Sequence, residues 1–422
     1  MKQSGIDWIG EIPDDWKIEK AKHVFRQRFD KGNELTLQLL SPTQKFGVIP
    51  QTLYEELTTY SAVKLKEGTD LSTFKTVHKG DFCISLRSFQ GGFEYSRYEG
   101  VVSPAYQIFY AIKEIDDEYY KYLFKDQTFI AKMNSYTMSL RDGKNIAFSD
   151  FGDTFIPLPP KATQQRIAEY LDKKVSEIDS IIEESKKSIE EYKAWKQSVI
   201  FEAVTGKNLN CKKKDSGIEW IGEIPEGWEV RALKTLFRIF SGTTPRSDRA
   251  EFWDGDIKWI TPADFSTEDI FISNGKRNIS NKGFKSHSLE MIPAGNLIFS
   301  KRAPIGKVCI NTDEICTNQG CLACVKKIDL NIKFFYYFIS TLTEYFELLG
   351  SGTTFKEISL SAFSDFKISY PPLPEQESIA KMLDSKCAQI DSLIAEKESL
   401  ITDLTEYKKS LIFEVVTGKR SV

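Results

Sequence analysis

Two stretches of this chain carry the same hydrophobic rhythm. From Thr163 to about Val204 there is no Pro or Gly, and apolar residues recur at Ala168, Leu171, Val175, Ile178, Ile182, Ile189, Tyr192 and Val199. As far as Tyr192 the steps alternate between three and four, with Ser185 in the slot between Ile182 and Ile189. The same pattern returns at Ala380, Leu383, Cys387, Ile390, Ile394, Ile401, Leu404 and Leu411, with Lys397 at the matching slot. This is a heptad seam, so each stretch is expected to be one long helix. At 1.5 Å per residue a helix of about 42 residues runs ~60 Å, and a narrow apolar stripe on such a rod requires a partner helix. The obvious partner is the other copy. Thr163 is the expected N-cap, and Gly206 and Gly418 are stop signals.

Outside the helices the periodicity shortens. Runs such as DFCISL (81–86), IKWI (257–260) and LIFS (297–300) are bounded by Gly, Pro and Asn and read as strands, whereas 117–133 and 332–349 have helical spacing. The bodies, roughly 17–158 and 229–370, are thus expected to be mixed α/β. Prolines at 157, 159 and 160, and at 371, 372 and 374, separate each body from its long helix.

The two halves are copies. SGIDWIGEIPDDW at 4–16 returns as SGIEWIGEIPEGW at 216–228, PPKATQQRIAEYLD as PPLPEQESIAKMLD, and IFEAVTGK as IFEVVTGK, all displaced by 212 positions. A period this long is domain-sized, so it marks tandem duplication rather than a solenoid. Between these margins only islands align, such as GDFCISLRS (80–88) with GNLIFSKRA (295–303). A shared frame carries divergent interiors. The expected division is 1–160 and 216–372 for the bodies, 161–207 and 373–422 for the helices, and NLNCKKKD at 208–215 for the linker.

Bulk properties narrow the class. The 422 residues are 41% hydrophobic and 28% charged, which suits folded cores. The longest apolar runs, such as FFYYFI at 334–339, fall far short of the ~20 residues a membrane helix needs. The first residues contain no apolar secretory segment, and seven cysteines, an odd number, do not make a disulfide framework, so a cytoplasmic protein with free thiols is expected. The net charge of −3 argues against nucleic-acid binding at first sight. It is unevenly sorted, however: +1 for 17–160, +2 for 229–372 and −3 for 373–419.

Catalytic constellations are absent from the sequence. No phosphate loop or G-x-G-x-x-G is present, and with only His23, His78 and His287 there is no H-E-x-x-H pair. Cys321 and Cys324 have a C-x-x-C spacing, with Cys309 and Cys316 nearby, but residues three apart on a strand face opposite sides and the first copy has no counterpart. No metal site is expected. The islands instead carry cations beside small or aromatic residues: Arg87, Gln90 and Arg97 among Phe89, Tyr95 and Tyr98; Lys301, Arg302 and Lys307; and the loops RDGKN (141–145) and GSGTTFK (350–356). Such loops let backbone N–H groups approach phosphate while Arg and Gln read base edges. On composition alone they read equally as surface turns with solvated lysines.

The motifs SGIEWIGEIPEGW, SGTTPRSDRAEFWDGDIKWITPADF, SKRAPIGK, CTNQG, GSGTTFKEIS and IFEVVTGK together resemble the specificity subunit of type I restriction-modification enzymes, over essentially the whole chain. The first body's SLRSFQGGFEYSRYEGVVSPAY resembles another subtype of recognition domain in that family. The resemblance implies an α+β architecture: two globular mixed α/β target-recognition domains, related by an internal pseudo-two-fold repeat and separated by two long antiparallel coiled-coil helices. Each domain would read one half of a split, asymmetric double-stranded DNA site, with half-site centres about one helical turn, ~34 Å, apart. Methyltransferase subunits would dock on the helices and restriction/translocase subunits would join them, with S-adenosylmethionine, ATP and Mg in those partners and no catalytic residue or cofactor here.

By motif position the implied DNA contacts are Arg87, Gln90, Arg97, Arg141 and Lys144 in the first body. In the second they are Thr243, Thr244, Arg246, Lys301, Arg302, Lys307, Asn318, Gln319, Thr354 and Lys356, of which Thr243, Asn318 and Gln319 also read as braces of the fold. Helix packing is expected at Leu171, Val175, Ile178, Ile182 and Ile189, and at Leu383, Ile390, Ile394, Ile401 and Leu404. The alternatives are a recognition subunit of a modification-only adenine methyltransferase and a coiled-coil adaptor with two bodies for non-DNA ligands.

Overall fold

The two seams form helices of 45 and 44 residues, Lys161–Thr205 and Leu373–Val416, in a computed structural model. It describes every residue except 33–37, 59, 62–68, 70, 85–91, 137–145, 267–268, 288, 303 and 351–355. The first helix starts two residues before the expected cap: the Pro160 carbonyl accepts the amides of Thr163 (2.8 Å) and Gln164 (3.0 Å), so Thr163 already lies inside the first turn. The proline, with its fixed φ and no N–H to leave unpaired, opens the helix instead. The far ends stop as expected, at Gly206 (φ +74°) and Gly418 (φ +73°), whose left-handed backbone tolerates no side chain cheaply.

The chain divides into two compact units, Met1–Lys186 with Glu398–Val422, and Lys187–Lys397. Each unit therefore owns a body, the first part of that body's long helix and the last part of the other long helix. In the first unit the helix segments run antiparallel: Tyr170 lies against Arg420, and Asp179 Oδ1 pairs with Lys408 at 2.5 Å. Leu171, Ile178 and Ile182 are buried there, while Val175, Ile401 and Leu404 are half-buried against the same core. In the second unit Lys196 pairs with Asp391 at 2.6 Å, Ile189, Leu383 and Ile390 are buried, and Ile394 is half-buried. Ser185 is also buried.

Each body is closed by a ribbon of its first and last strands, Lys17–Lys20 with Phe155–Leu158 and Glu229–Ala232 with Lys367–Tyr370, in the same register 212 positions apart. The first body holds an antiparallel sheet ordered Phe25–Arg28, Gln107–Ala111, Phe82–Ile84, Glu94–Tyr95, backed by rings of Phe25, Phe82, Phe93, Phe109, Phe124 and Phe151. The second has a five-stranded sheet ordered Phe237–Ser241, Cys321–Lys326, Leu297–Ser300, Val308–Asn311, Phe271–Ile272, and a three-stranded one around Trp253–Ile260. Cys321 and Cys324 fall into different apolar cores, as the alternation of a strand requires.

The expected body helices are each broken in two. Asp117–Leu123 is followed by Gln127–Ser135, whose N-cap Asp126 accepts the amides of Thr128 and Phe129, and Ile332–Ser340 is followed by Thr343–Leu349. The stretch read as a linker contributes Lys213–Asp215 to a ribbon with Glu223–Pro225, the counterpart of Lys2–Gln3 with Glu11–Ile12. A buried glutamine fixes each body to its long helix. Gln164 accepts the Asp116 amide (2.8 Å) and donates to the Pro159 carbonyl (2.7 Å); Gln376 does the same with Asn331 (3.1 Å) and Pro371 (2.9 Å). Among the described residues no helix is long and apolar enough to cross a membrane.

Candidate nucleic-acid interface

In the second body one strand end gathers most of the expected contacts. Leu297–Ser300 leads directly into Lys301 and Arg302, and the segment after the last body loop returns beside it, with an isolated bridge between Arg302 and Glu357. The Glu357 carboxylate holds both cations, Lys301 Nζ at 2.7 Å and Arg302 Nε at 2.6 Å. Burial opposes ionisation of Glu357, but the two cations outweigh it and keep its carboxyl below the usual range. Lys301 is almost enclosed, whereas Arg302 remains 44% exposed. Thus Lys301 serves as an anchor and Arg302 is the cation presented to solvent. Lys356 is exposed next to them.

The turn after Thr317 adjoins this strand. Gly320 O accepts the Lys301 amide at 3.0 Å, and Asn318 Oδ1 accepts the Gly320 amide at 2.9 Å. The Thr244 hydroxyl donates to Gln319 Oε1, the Thr243 amide to Thr317 O (3.0 Å), and Trp259 Nε1 to Thr243 O (3.2 Å). A methyl on Gly242 would fall 1.8 Å from the Thr317 carbonyl, so glycine is required for the two segments to approach. Asn318 and the Thr243 main chain therefore brace the fold, and Gln319 spends its carbonyl on Thr244. The Arg246 side chain forms a fork with Asp248 (Nη2 to Oδ2, 2.8 Å), while its carbonyl accepts Trp253 Nε1 at 3.1 Å. Lys307 sits across a tight turn, its carbonyl accepting the Ser300 amide at 2.7 Å.

In the first body Arg87, Gln90, Arg141 and Lys144 lie outside the described residues, as does Thr354 in the second. Arg97 is committed to a two-pronged pair with Glu118 (2.9 and 2.8 Å), which raises its already high pKa, with Asp172 of the long helix 4.0 Å away. Two ion pairs that sequence reasoning missed flank the segment 85–91. Arg28 grips Asp81 through Nε (2.8 Å) and Nη2 (3.0 Å), and Lys125 reaches buried Glu94 at 2.6 Å. Their partners are 53 and 31 positions apart, so no local pattern announces them. Glu357, by contrast, stands within the GSGTTFKEIS motif.

A family model described as type I restriction modification DNA specificity domain matches twice, over residues 13–191 and 225–402. The chain belongs to this family. The two matches begin 212 positions apart, so each takes one repeat. Among the specificity subunits most similar to this one, the type I restriction enzyme MjaIX specificity subunit of Methanocaldococcus jannaschii is 38% identical over 181 residues, covering 42% of this chain and 41% of that relative. That match spans about two-fifths of the relative's length. The putative MjaX specificity subunit of the same organism is 26% identical, covering 97% of this chain and 95% of the relative. In fold, the specificity subunit resembles a chain from a structure of type I restriction-modification complex assembly and conformational transition (TM-score 0.78, 17% identity, 97% of this chain and 100% of that one). It also resembles the HsdS subunit of Thermoanaerobacter tengcongensis (TM-score 0.61, 17% identity, 100% of both chains).

Proposed function

We propose that this specificity subunit reads a bipartite, asymmetric double-stranded DNA site, one part with each body, and that it carries no chemistry of its own. The observation that supports this most is the contrast between frame and surface. The bodies share closing ribbons and glutamine locks at a constant offset, yet of the Lys301–Arg302–Glu357 cluster in the second only the arginine has a like-charged sequence counterpart in the first, Arg87, while Leu86 and Asn145 stand in place of Lys301 and Glu357. Two readers on one frame would recognise two different half-sites. In this reading S-adenosylmethionine, ATP and Mg belong to methyltransferase and restriction subunits that the chain scaffolds. Each unit offers those partners an exposed aliphatic and an exposed aromatic residue on its helix segments: Ile181 and Tyr407 in the first, Leu393 and Trp195 in the second, the same two positions of each repeat.

The test is to replace residues 229–370 with the corresponding body of another family member and map methylated adenines in the host genome. One half of the site is expected to change and the other to stay. A change in both halves, or in neither, overturns the reading.

A further inference from the structure

In the second body Arg277 lies over an indole and leaves its outer donors uncommitted. Its guanidinium is 4.1 Å from the centre of the Trp253 ring, which packs edge-on against Trp259 (centroids 5.2 Å apart, 78° between planes). Both indoles are buried, and both donate to the segment that carries three of the motif contacts: Trp253 Nε1 to the Arg246 carbonyl (3.1 Å) and Trp259 Nε1 to the Thr243 carbonyl (3.2 Å). A strand bulge shapes this face. Trp253 and Ile257 both register on Ile279, and Asp254 between them has a left-handed backbone (φ +58°). The start of the Arg277 strand is held by Asp264, whose carboxylate accepts the Thr261 amide at 2.8 Å and the Lys276 amide at 3.0 Å. Asp254 Oδ1 is 3.9 Å from Arg277 Nε, too far for a hydrogen bond. The other five arginines of this body each have a carboxylate within 3.3 Å. Arg277 is half-exposed, and neither of its Nη atoms has an acceptor among the described residues.

We propose that Arg277 reads a guanine in the half-site of the second body, its two Nη groups donating to O6 and N7 in the major groove. This deepens the DNA reading proposed above and rests on it. Bidentate recognition of guanine needs two donors held in one plane, and a guanidinium supplies them. Attraction between the cation and the indole holds Arg277 in place before DNA arrives, so less side-chain freedom is lost on binding. The motif arginines are less free to act this way: Arg302 spends Nε on Glu357, and Arg246 spends Nε and Nη2 on Asp248. Asp254 beside Arg277 selects between backbone and base. Its carboxylate repels a phosphate, whereas the cytosine of a G·C pair offers it the N4 donor.

The site itself comes from methylated adenines in the host genome, and the exchange of residues 229–370 shows which half belongs to this body. A genome without a two-part site sinks the DNA reading before Arg277 is touched. The host complex containing the full chain is then titrated with duplexes carrying 7-deazaguanine, which lacks the N7 acceptor, at each guanine of the site in turn. The parent is expected to lose about fivefold or more in affinity at one guanine of that half. Arg277→Lys keeps the charge and loses the fork. It is expected to bind the natural duplex more weakly by a similar factor and to lose nothing further from 7-deazaguanine at that one position, with every other position responding as in the parent. The proposal is overturned if that half holds no sensitive guanine, or if Arg277→Lys keeps the parent's response at every position, the mark of a phosphate contact. It is likewise overturned if the variant loses the response of the whole half-site, the mark of a residue that only covers Trp253.

Discussion

Lys196 Nζ lies 2.6 Å from Asp391 Oδ2, and the same pair recurs with the copies exchanged as Lys408 and Asp179. Both lysines occupy heptad slots where the seam lacks an apolar residue, and each is about one-quarter exposed. A polar residue in a seam fixes register at some cost in stability, because only one alignment gives it a partner.

Reversing one partner tests that role. Asp391→Lys faces Lys196 with a like charge and is expected to cost about 1 kcal/mol, with Lys196→Asp in the same chain recovering most of it. Urea midpoints of the two single variants and the double variant measure the coupling; purely additive losses would remove the pair from any register role.

The carbonyl near the end of each long helix is satisfied by different means. Tyr119 Oη donates to Val416 O at 2.7 Å in the first unit, and Ser369 Oγ donates to Val204 O at 3.1 Å in the second. The counterpart of Tyr119, three residues after the helix cap, is Phe334, and the counterpart of Ser369 is Pro157, neither of which has a hydroxyl. Tyr119→Phe and Ser369→Ala should each destabilise by about 1–3 kcal/mol, since a buried carbonyl is left without a donor. Denaturant unfolding checks this, and a neutral Tyr119→Phe would mean that another donor serves Val416.

Burial pushes the Glu94 carboxyl up to about 7, although Lys125 pulls it down, and Glu94 Oε1 has no hydrogen-bond partner among the described residues. The folded-state value exceeds the ordinary one, so folding favours the protonated form. Its contribution is complete below the ordinary carboxylate range and is lost as pH rises toward and through 7. Glu94→Gln, which imitates the protonated group, should match the parent near pH 4 and exceed it above pH 7 by up to about 3 kcal/mol. Parallel unfolding curves at pH 5 and pH 8 give the difference, and a constant gap would exclude the titration.

Glu357 restrains both Lys301 and Arg302 in the second body. On the proposed DNA reading, Glu357→Gln releases Lys301 and Arg302 and removes one anion. The slope of log K against log salt should steepen by up to about 1, and discrimination should relax in one half-site alone. Salt titration with sites mutated in either half measures both effects.

Much of the architecture was legible because it is carried by local repetition. Apolar spacing named both long helices, and the constant offset named the duplication, since one core packed twice needs the same residues twice. Gly206 and Gly418 were readable because left-handed backbone selects glycine. The cap at Thr163 was misplaced because Pro159 and Pro160 look like breakers and act as starters. The seam interruptions at Lys196 and Lys408 passed unnoticed because their aspartates lie 195 and 229 positions away. The candidate contacts were found only as members of motifs, with no means of telling Asn318, turned inward to Gly320, from Arg302, turned to solvent.

The sequence alone determined that there are two copies, where the helices run and which family the motifs resemble, because those depend on residue order over short spans. Only the tertiary structure decided which halves of the helices share a unit, that one carboxylate, Glu357, restrains two cations, and that Trp220 stacks on Phe366 while Trp8 packs edge-on against Phe129. These are contacts between residues far apart in the chain, and the same local segment meets different neighbours in the two copies, so no window of sequence contains them.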